Sequence, residues 1–276
     1  MDGLATQCGM VRQAAVLDID LAAFISATGA TDTDGLADIV NYLKSESLWG
    51  NAVFLPMLPN QNHGSGTTVE SLGGITTANA VLTGSPVWQS DGIDFNGSSQ
   101  YGTIDVPGLQ SSTSMFTICR IVPDLASIAD SGTGSWFGFG DTNAGKVIGI
   151  GPLSTVSLNG ETITVVFKKS GTNARLGATT AWSAGEDFSI VTEFSTTGSR
   201  LWKNKTSQTY SLSSGMSTST DTSPLATGFS SNDNFNIATY TPGVTYYNGS
   251  IAAILLIDGL PTLTQRETLT DLINAL

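Results

Sequence analysis

A chain of 276 residues with 40% hydrophobic but only 12% charged side chains can bury one large core, and it must stay soluble through Ser, Thr, Asn and Gly. A formal net charge of -12 disfavours a nucleic-acid-binding surface, and the nearest basic clusters, Lys168-Lys169 and Lys203-Asn204-Lys205, read as solvated strand ends or hairpin tips, so no nucleic-acid partner is expected. Two distant cysteines, Cys8 and Cys119, exclude a disulfide framework or a cysteine metal cluster and read as buried thiols.

The first stretch, to about Leu17, is an arm with little pattern. It has no continuous apolar run, so no export signal is expected and the chain reads as a soluble product of a cytoplasm. Helical periodicity then appears twice. Leu21, Phe24 and Ile25 recur at helical spacing, with Asp18 or Asp20 to cap the start and Gly29 to end it. Leu36, Ile39, Val40 and Leu43 form one face of a second helix, capped by Thr33 or Asp34. Two such short helices need a packing partner, either the rest of the chain or a neighbouring one.

Trp49 to Pro59 is apolar with two prolines and reads as an edge strand, followed by a surface connector to Pro86. Val87 to Val106 then reads as a hairpin: Ile93 and Phe95 share a face, Asn96-Gly97 turns the chain, and Tyr101, Thr103 and Asp105 alternate with smaller or apolar residues. Phe95 is expected in the core, and Gln100, at the turn, is expected to tolerate replacement. Alternating or apolar runs recur at Met115 to Ile121, Trp136 to Phe139, Lys146 to Ile150, Ile163 to Lys169, Phe188 to Phe194 and Phe235 to Ala238, with turns between them. Ser250 to Asp258 suits a strand buried on both faces. A final helix follows, with Thr264 and Glu267 as its capping box and Leu269, Leu272, Ile273 and Leu276 on one face. The longest apolar run, Ile251 to Ile257, is far below the ~20 residues of a spanning helix, so no membrane span is expected.

These strands predict a mainly β fold, a sandwich or barrel. The segment G-I-D-F-N-G-S-S-Q-Y-G-T-I-D, the strand M-F-T-I-C-R-I and the closing strand-turn-helix resemble a concanavalin A-like, laminin-G-type domain. The resemblance implies an antiparallel jelly-roll β-sandwich over 87–276, with a capping C-terminal helix. It divides the rest into a helical segment, 1–50, and a connector with an edge strand, 51–86. Asp34-Gly35-Leu36, Leu48-Trp49-Gly50 and Phe54-Leu55-Pro56 also resemble the lead-in of such proteins in tailed bacteriophage virions.

That resemblance implies a non-catalytic structural protein of the head, fibre or tail, located in the virion and assembled in the host cytoplasm. Its partners would be other virion proteins and further copies in a homo-oligomer. Leu21, Phe24, Leu36, Ile39, Val40 and Leu43 would carry the assembly contact. The alternative is a carbohydrate-binding adhesin for a host-surface glycan, with Trp182, Trp202 and Tyr246 as the stacking aromatics. A glycoside hydrolase is the weakest reading: the glutamates are isolated, and no E-x-D-x-x-E strand is present to bring two carboxylates together. His63, the only histidine, lies in a glycine-rich loop without the surroundings of a catalytic base. No cofactor is expected beyond calcium, for which Asp141, Asn143 and Asp233 offer oxygen ligands; the same residues read equally well as Asx-type turns.

Overall fold

The computed structural model describes residues 17–75, 78–106, 112, 114–124, 137–141, 146–152, 162–169, 172–179, 182–195, 198–208, 210–211, 235–239 and 246–276. Helix α1 (Ile19–Thr28) starts where the Asp18 carboxylate accepts the Asp20 and Leu21 N–H groups, and it ends at Gly29 with φ 72°. Helix α2 (Asp34–Ser45) follows, and its Lys44 binds Asp18 at 2.7 Å and Asp20 at 2.5 Å. The Lys44 ammonium also lies 4.7 Å from the Trp49 ring centroid, in the turn that leads into the sheets.

The strands then run β1 (Ala52–Pro56), β2 (Thr68–Val69), β3 (Ala80–Thr83), β4 (Val87–Gln89), β5 (Gly92–Asn96) and β6 (Tyr101–Ile104). Next come β7 (Ser114–Pro123), β8 (Phe137–Asp141), β9 (Lys146–Pro152), β10 (Thr162–Lys169), β11 (Thr172–Thr179) and β12 (Phe188–Ser195). The last are β13 (Gly198–Lys203), β14 (Thr206–Ser207), β15 (Tyr210–Ser211), β16 (Phe235–Ile237) and β17 (Asn248–Asp258), before helix α3 (Leu263–Asn274). The first sheet has the order β14-β13-β12-β7-β17-β5-β4, with β1 also paired to β17. The second has the order β15-β11-β10-β9-β8-β16-β6-β3-β2. Every pairing is antiparallel, giving the expected β-sandwich.

Two cores hold it together. Between the sheets, Val53, Leu55, Ile93, Phe95, Met115, Cys119, Ile190, Phe194 and Leu256 meet Ala80, Leu82, Ile104, Phe235 and Ile237. On the outer face of the first sheet, Phe54, Phe116, Ile118, Val191, Trp202, Leu255 and Ile257 meet the three helices. Strand β17 serves both cores, as its unbroken apolar run suggests. A register shift between Ile251 and Ala253 re-phases it, so that Ile251 and Ile254 both face the inner core.

Four expectations change. Leu21, Phe24, Leu36, Ile39, Val40 and Leu43 are buried against the chain's own first sheet, so their apolar faces are not available for assembly. The connector belongs to the sandwich: β1 pairs with β17, and β3 pairs with β6. The Val87 to Val106 stretch is not one hairpin, because β5 pairs with β4 and β17 in the first sheet while β6 pairs with β3 and β16 in the second. Its Asn96-Gly97 turn is instead an arch between sheets, with Gly97 at φ 68° and the Asn96 side chain accepting the Ser98 and Ser99 N–H groups. The capping box of α3 lies two residues earlier than expected, between Thr262 and Gln265.

Candidate functional site

Of the three aromatics singled out for stacking, two are structural. Trp182 is 6% exposed and packs in the inner core, despite its Thr/Ser/Gly-rich surroundings. Trp202 is 5% exposed under α3, where the Arg266 guanidinium lies 3.9 Å from its ring centroid. Neither ring offers a face to a sugar. Tyr246 is half-buried, and its ring centroid lies 6.3 Å from that of Tyr101 at an interplanar angle of 42°.

Backbone geometry builds this tyrosine pair. The Tyr247 N–H donates to Ala238 O, just past β16, which holds the neighbouring Tyr246 beside the start of β6. In β6, Gly102 and Ile104 are buried, so Tyr101 and Thr103 lie on the outer face of the second sheet. In β3, Ala80 and Leu82 are buried, leaving Val81 and Thr83 on that same face. The register sets Thr83 opposite Tyr101 and Val81 opposite Thr103. The Gln100 side chain fixes the adjoining turns, accepting Asn96 N–H and donating to Gly84 O and Ser85 O. Tyr101 is not among the aromatics that the sequence singles out; its signal is an aromatic at an outward position of an alternating strand.

The charged groups are arranged differently. Glu193, on the outer face of β12, has a side chain only 7% exposed and lies 3.4 Å from Arg266 and 3.6 Å from Arg200. Asp187 binds Arg120 at 2.6 Å, and Glu186 binds Lys203 at 2.5 Å. Burial works against the Glu186 charge, but the Lys203 hydrogen bond and a backbone N–H hold its carboxyl below its ordinary range. Asp91, Asp94 and Asp124 instead gather at one corner of the first sheet, where Asp91 accepts a 3.1 Å hydrogen bond from the buried Ser250 hydroxyl. Burial, then repulsion from Asp124 and Asp91, pushes the Asp94 carboxyl up, and burial and Asp91 do the same to Asp124.

His63 lies 3.5 Å from Glu70 in a loop organised by the buried Asn62 side chain, which donates to Pro56 O and Glu70 O. Burial pushes the Cys119 thiol well above its ordinary range, so it stays protonated and inert; Cys8 lies outside the described residues. Asp141 ends β8, whereas its side chain, Asn143 and Asp233 lie outside the described residues. Among the described residues no group of three or more His, Cys, Asp and Glu is placed to hold a metal ion, and no helix is long and apolar enough to cross a membrane.

A mainly antiparallel β-sandwich with an outward aromatic pair is the class that fold and site define. No protein-family model matches the chain, and no curated protein matches it. Among solved structures it is similar to Trypanosoma rangeli sialidase in complex with sialic acid, at 12% identity and TM-score 0.55, over 86% of this chain and 39% of that one. It is also similar to a structure of botulinum neurotoxin type C, whose cell entry is dependent upon interaction with two ganglioside molecules, at 11% identity and TM-score 0.52, over 82% of this chain and 52% of that one. Domain 4 of the Geobacillus stearothermophilus arabinanase AbnA, in complex with arabinotriose, aligns at 14% identity and TM-score 0.48, over 79% of this chain and 87% of that domain. At such identities these likenesses show the fold alone.

Proposed function

We propose that this chain is a non-catalytic carbohydrate-binding β-sandwich displayed on a tailed-bacteriophage virion, where it serves attachment to a surface glycan. The observation that carries the binding half is the tyrosine pair on an outer sheet face, beside Val81 and the hydroxyls of Thr83 and Thr103. The sialidase and neurotoxin, whose names tie them to sialic acid and gangliosides, lend the reading support by fold analogy. Against catalysis stands the use of Glu193, the glutamate buried in the sheet, which is committed to two arginines. A glycan array with the full chain, with and without EDTA, tests binding and any calcium requirement together. Binding to no glycan in either condition overturns it.

The virion half rests on the sequence from Asp34 to Pro56, which resembles the lead-in of phage virion proteins and here forms α2, the Trp49 turn and β1. Other virion proteins and further copies of the chain are the partners this reading proposes. Mass spectrometry of purified particles tests it: a fixed copy number per particle is expected, and absence from the particle overturns it.

A further inference from the structure

The patch around Tyr101 and Tyr246 has a chemistry specific enough to name its ligand. Val81 is 55% exposed and gives the patch an apolar surface. Beside it, the hydroxyls of Thr83, Thr103 and Tyr101 make no hydrogen bond among the described residues. The two rings lie 6.3 Å apart at an interplanar angle of 42°, and both are half-buried. A pyranose matches this combination, because it presents C–H groups on its ring faces and hydroxyls around its rim.

Charge narrows the class further. No Lys or Arg occurs on β3 or β6 or in the turns beside them, from Ala78 to Val106. The chain carries a formal net charge of -12, so an anionic glycan would meet repulsion with no compensating cation from these two strands and their turns.

We propose that the outer face of β3 and β6, with Tyr101 and Tyr246 as the stacking aromatics and Thr83 and Thr103 as hydrogen-bonding partners, binds a neutral hexopyranose polysaccharide. This rests on the carbohydrate-binding reading above and adds the location and the charge class of the ligand.

Affinity electrophoresis of the full chain, through gels containing dextran, a soluble β-glucan, galactomannan or polygalacturonate, tests it. Retardation by at least one of the three neutral polymers, and none by polygalacturonate, is the expected result. Tyr101→Ala and Tyr246→Ala should each weaken that retardation roughly tenfold or more, as truncation of an anchoring aromatic does. Because tyrosine truncation can disturb folding, Thr83→Arg serves as a second variant: it adds bulk at an exposed position and should abolish retardation with an unchanged melting temperature. Retardation by a neutral polymer that survives all three substitutions overturns the location and leaves carbohydrate binding intact. Retardation by polygalacturonate alone overturns the neutral class. Failure of every polymer here, together with binding on a glycan array, overturns this site, whereas failure of both overturns the parent reading too.

Discussion

The two sheets treat their outer faces in opposite ways. The outer face of the first carries Phe116, Ile118, Val191, Trp202, Leu255 and Ile257, and three helices cover it. The outer face of the second, along β3 and β6, carries Val81, Thr83, Tyr101 and Thr103, all half-buried or exposed. Both sheets alternate their side chains between the two faces, but β12 and β17 are buried on both faces, whereas β3 and β6 alternate buried with exposed or half-buried residues. What separates them is whether the outward residues are apolar enough to repay covering. The first face is part of the folding core, whereas the second, along β3 and β6, keeps Val81 and Thr83 exposed.

The strongest way to break this contrast is to remove the cover. Deleting residues 1–50 takes away α1 and α2 and bares Phe54, Leu255 and Ile257, so loss of soluble folded protein is expected. A truncated protein with an unchanged circular-dichroism melt would show that the helices are a detachable anchor after all. Single charges should discriminate less but act the same way on both cores. Ile39→Asp and Phe95→Asp each bury an unpaired carboxylate and should cost upwards of about 4 kcal/mol in denaturant titrations.

The hinge between cover and sheet comes next. Arg266→Met leaves Glu193 buried with only the exposed Arg200 beside it, for an expected loss of about 3 kcal/mol. Adding Glu193→Leu should restore most of it, since a packed apolar pair replaces an unpaired charge. If the double variant is no better than the single one, the guanidinium stacking on Trp202 matters more than the ion pair.

Smaller effects sharpen the picture at the turns and corners. Gln100→Asp, which the turn position makes look harmless, places a carboxylate against Gly84 O and Ser85 O and should cost about 1–2 kcal/mol. At the acidic corner the folded carboxyls of Asp94 and Asp124 are raised, so their protonated forms are favoured by folding. Their contribution is therefore present below the ordinary carboxylate range and is lost as pH rises through the raised values. Asp94→Asn should raise the melting temperature at pH 7 and not at pH 3. Asp18 behaves in the opposite sense: hydrogen-bonded to Lys44 and lowered, it supports the α1–α2 junction above its ordinary range and ceases to as pH falls through the lowered value. The least effect is expected from Lys205→Ala, whose partner Asp271 is as solvated as itself, with no measurable change in melting temperature.

The sequence by itself determined the class of fold, the two N-terminal helices, the Gly29 end of the first, and the doubly buried closing strand. Each follows from periodicity or capping chemistry acting over a few residues. Only the tertiary structure decided which strands pair, and therefore what the outward residues do. Asn96-Gly97 demands a tight turn, but it does not say whether the chain returns beside itself or crosses to the opposite sheet. An apolar helix face demands a partner, but it does not say whose. The same limit applies to the aromatics: Trp182, Trp202 and Tyr246 look alike in sequence, while burial consumes the first two and leaves the third beside Tyr101. Pairing and burial depend on residues more than a hundred positions apart, such as Phe95 against Gly249, and no local pattern records that.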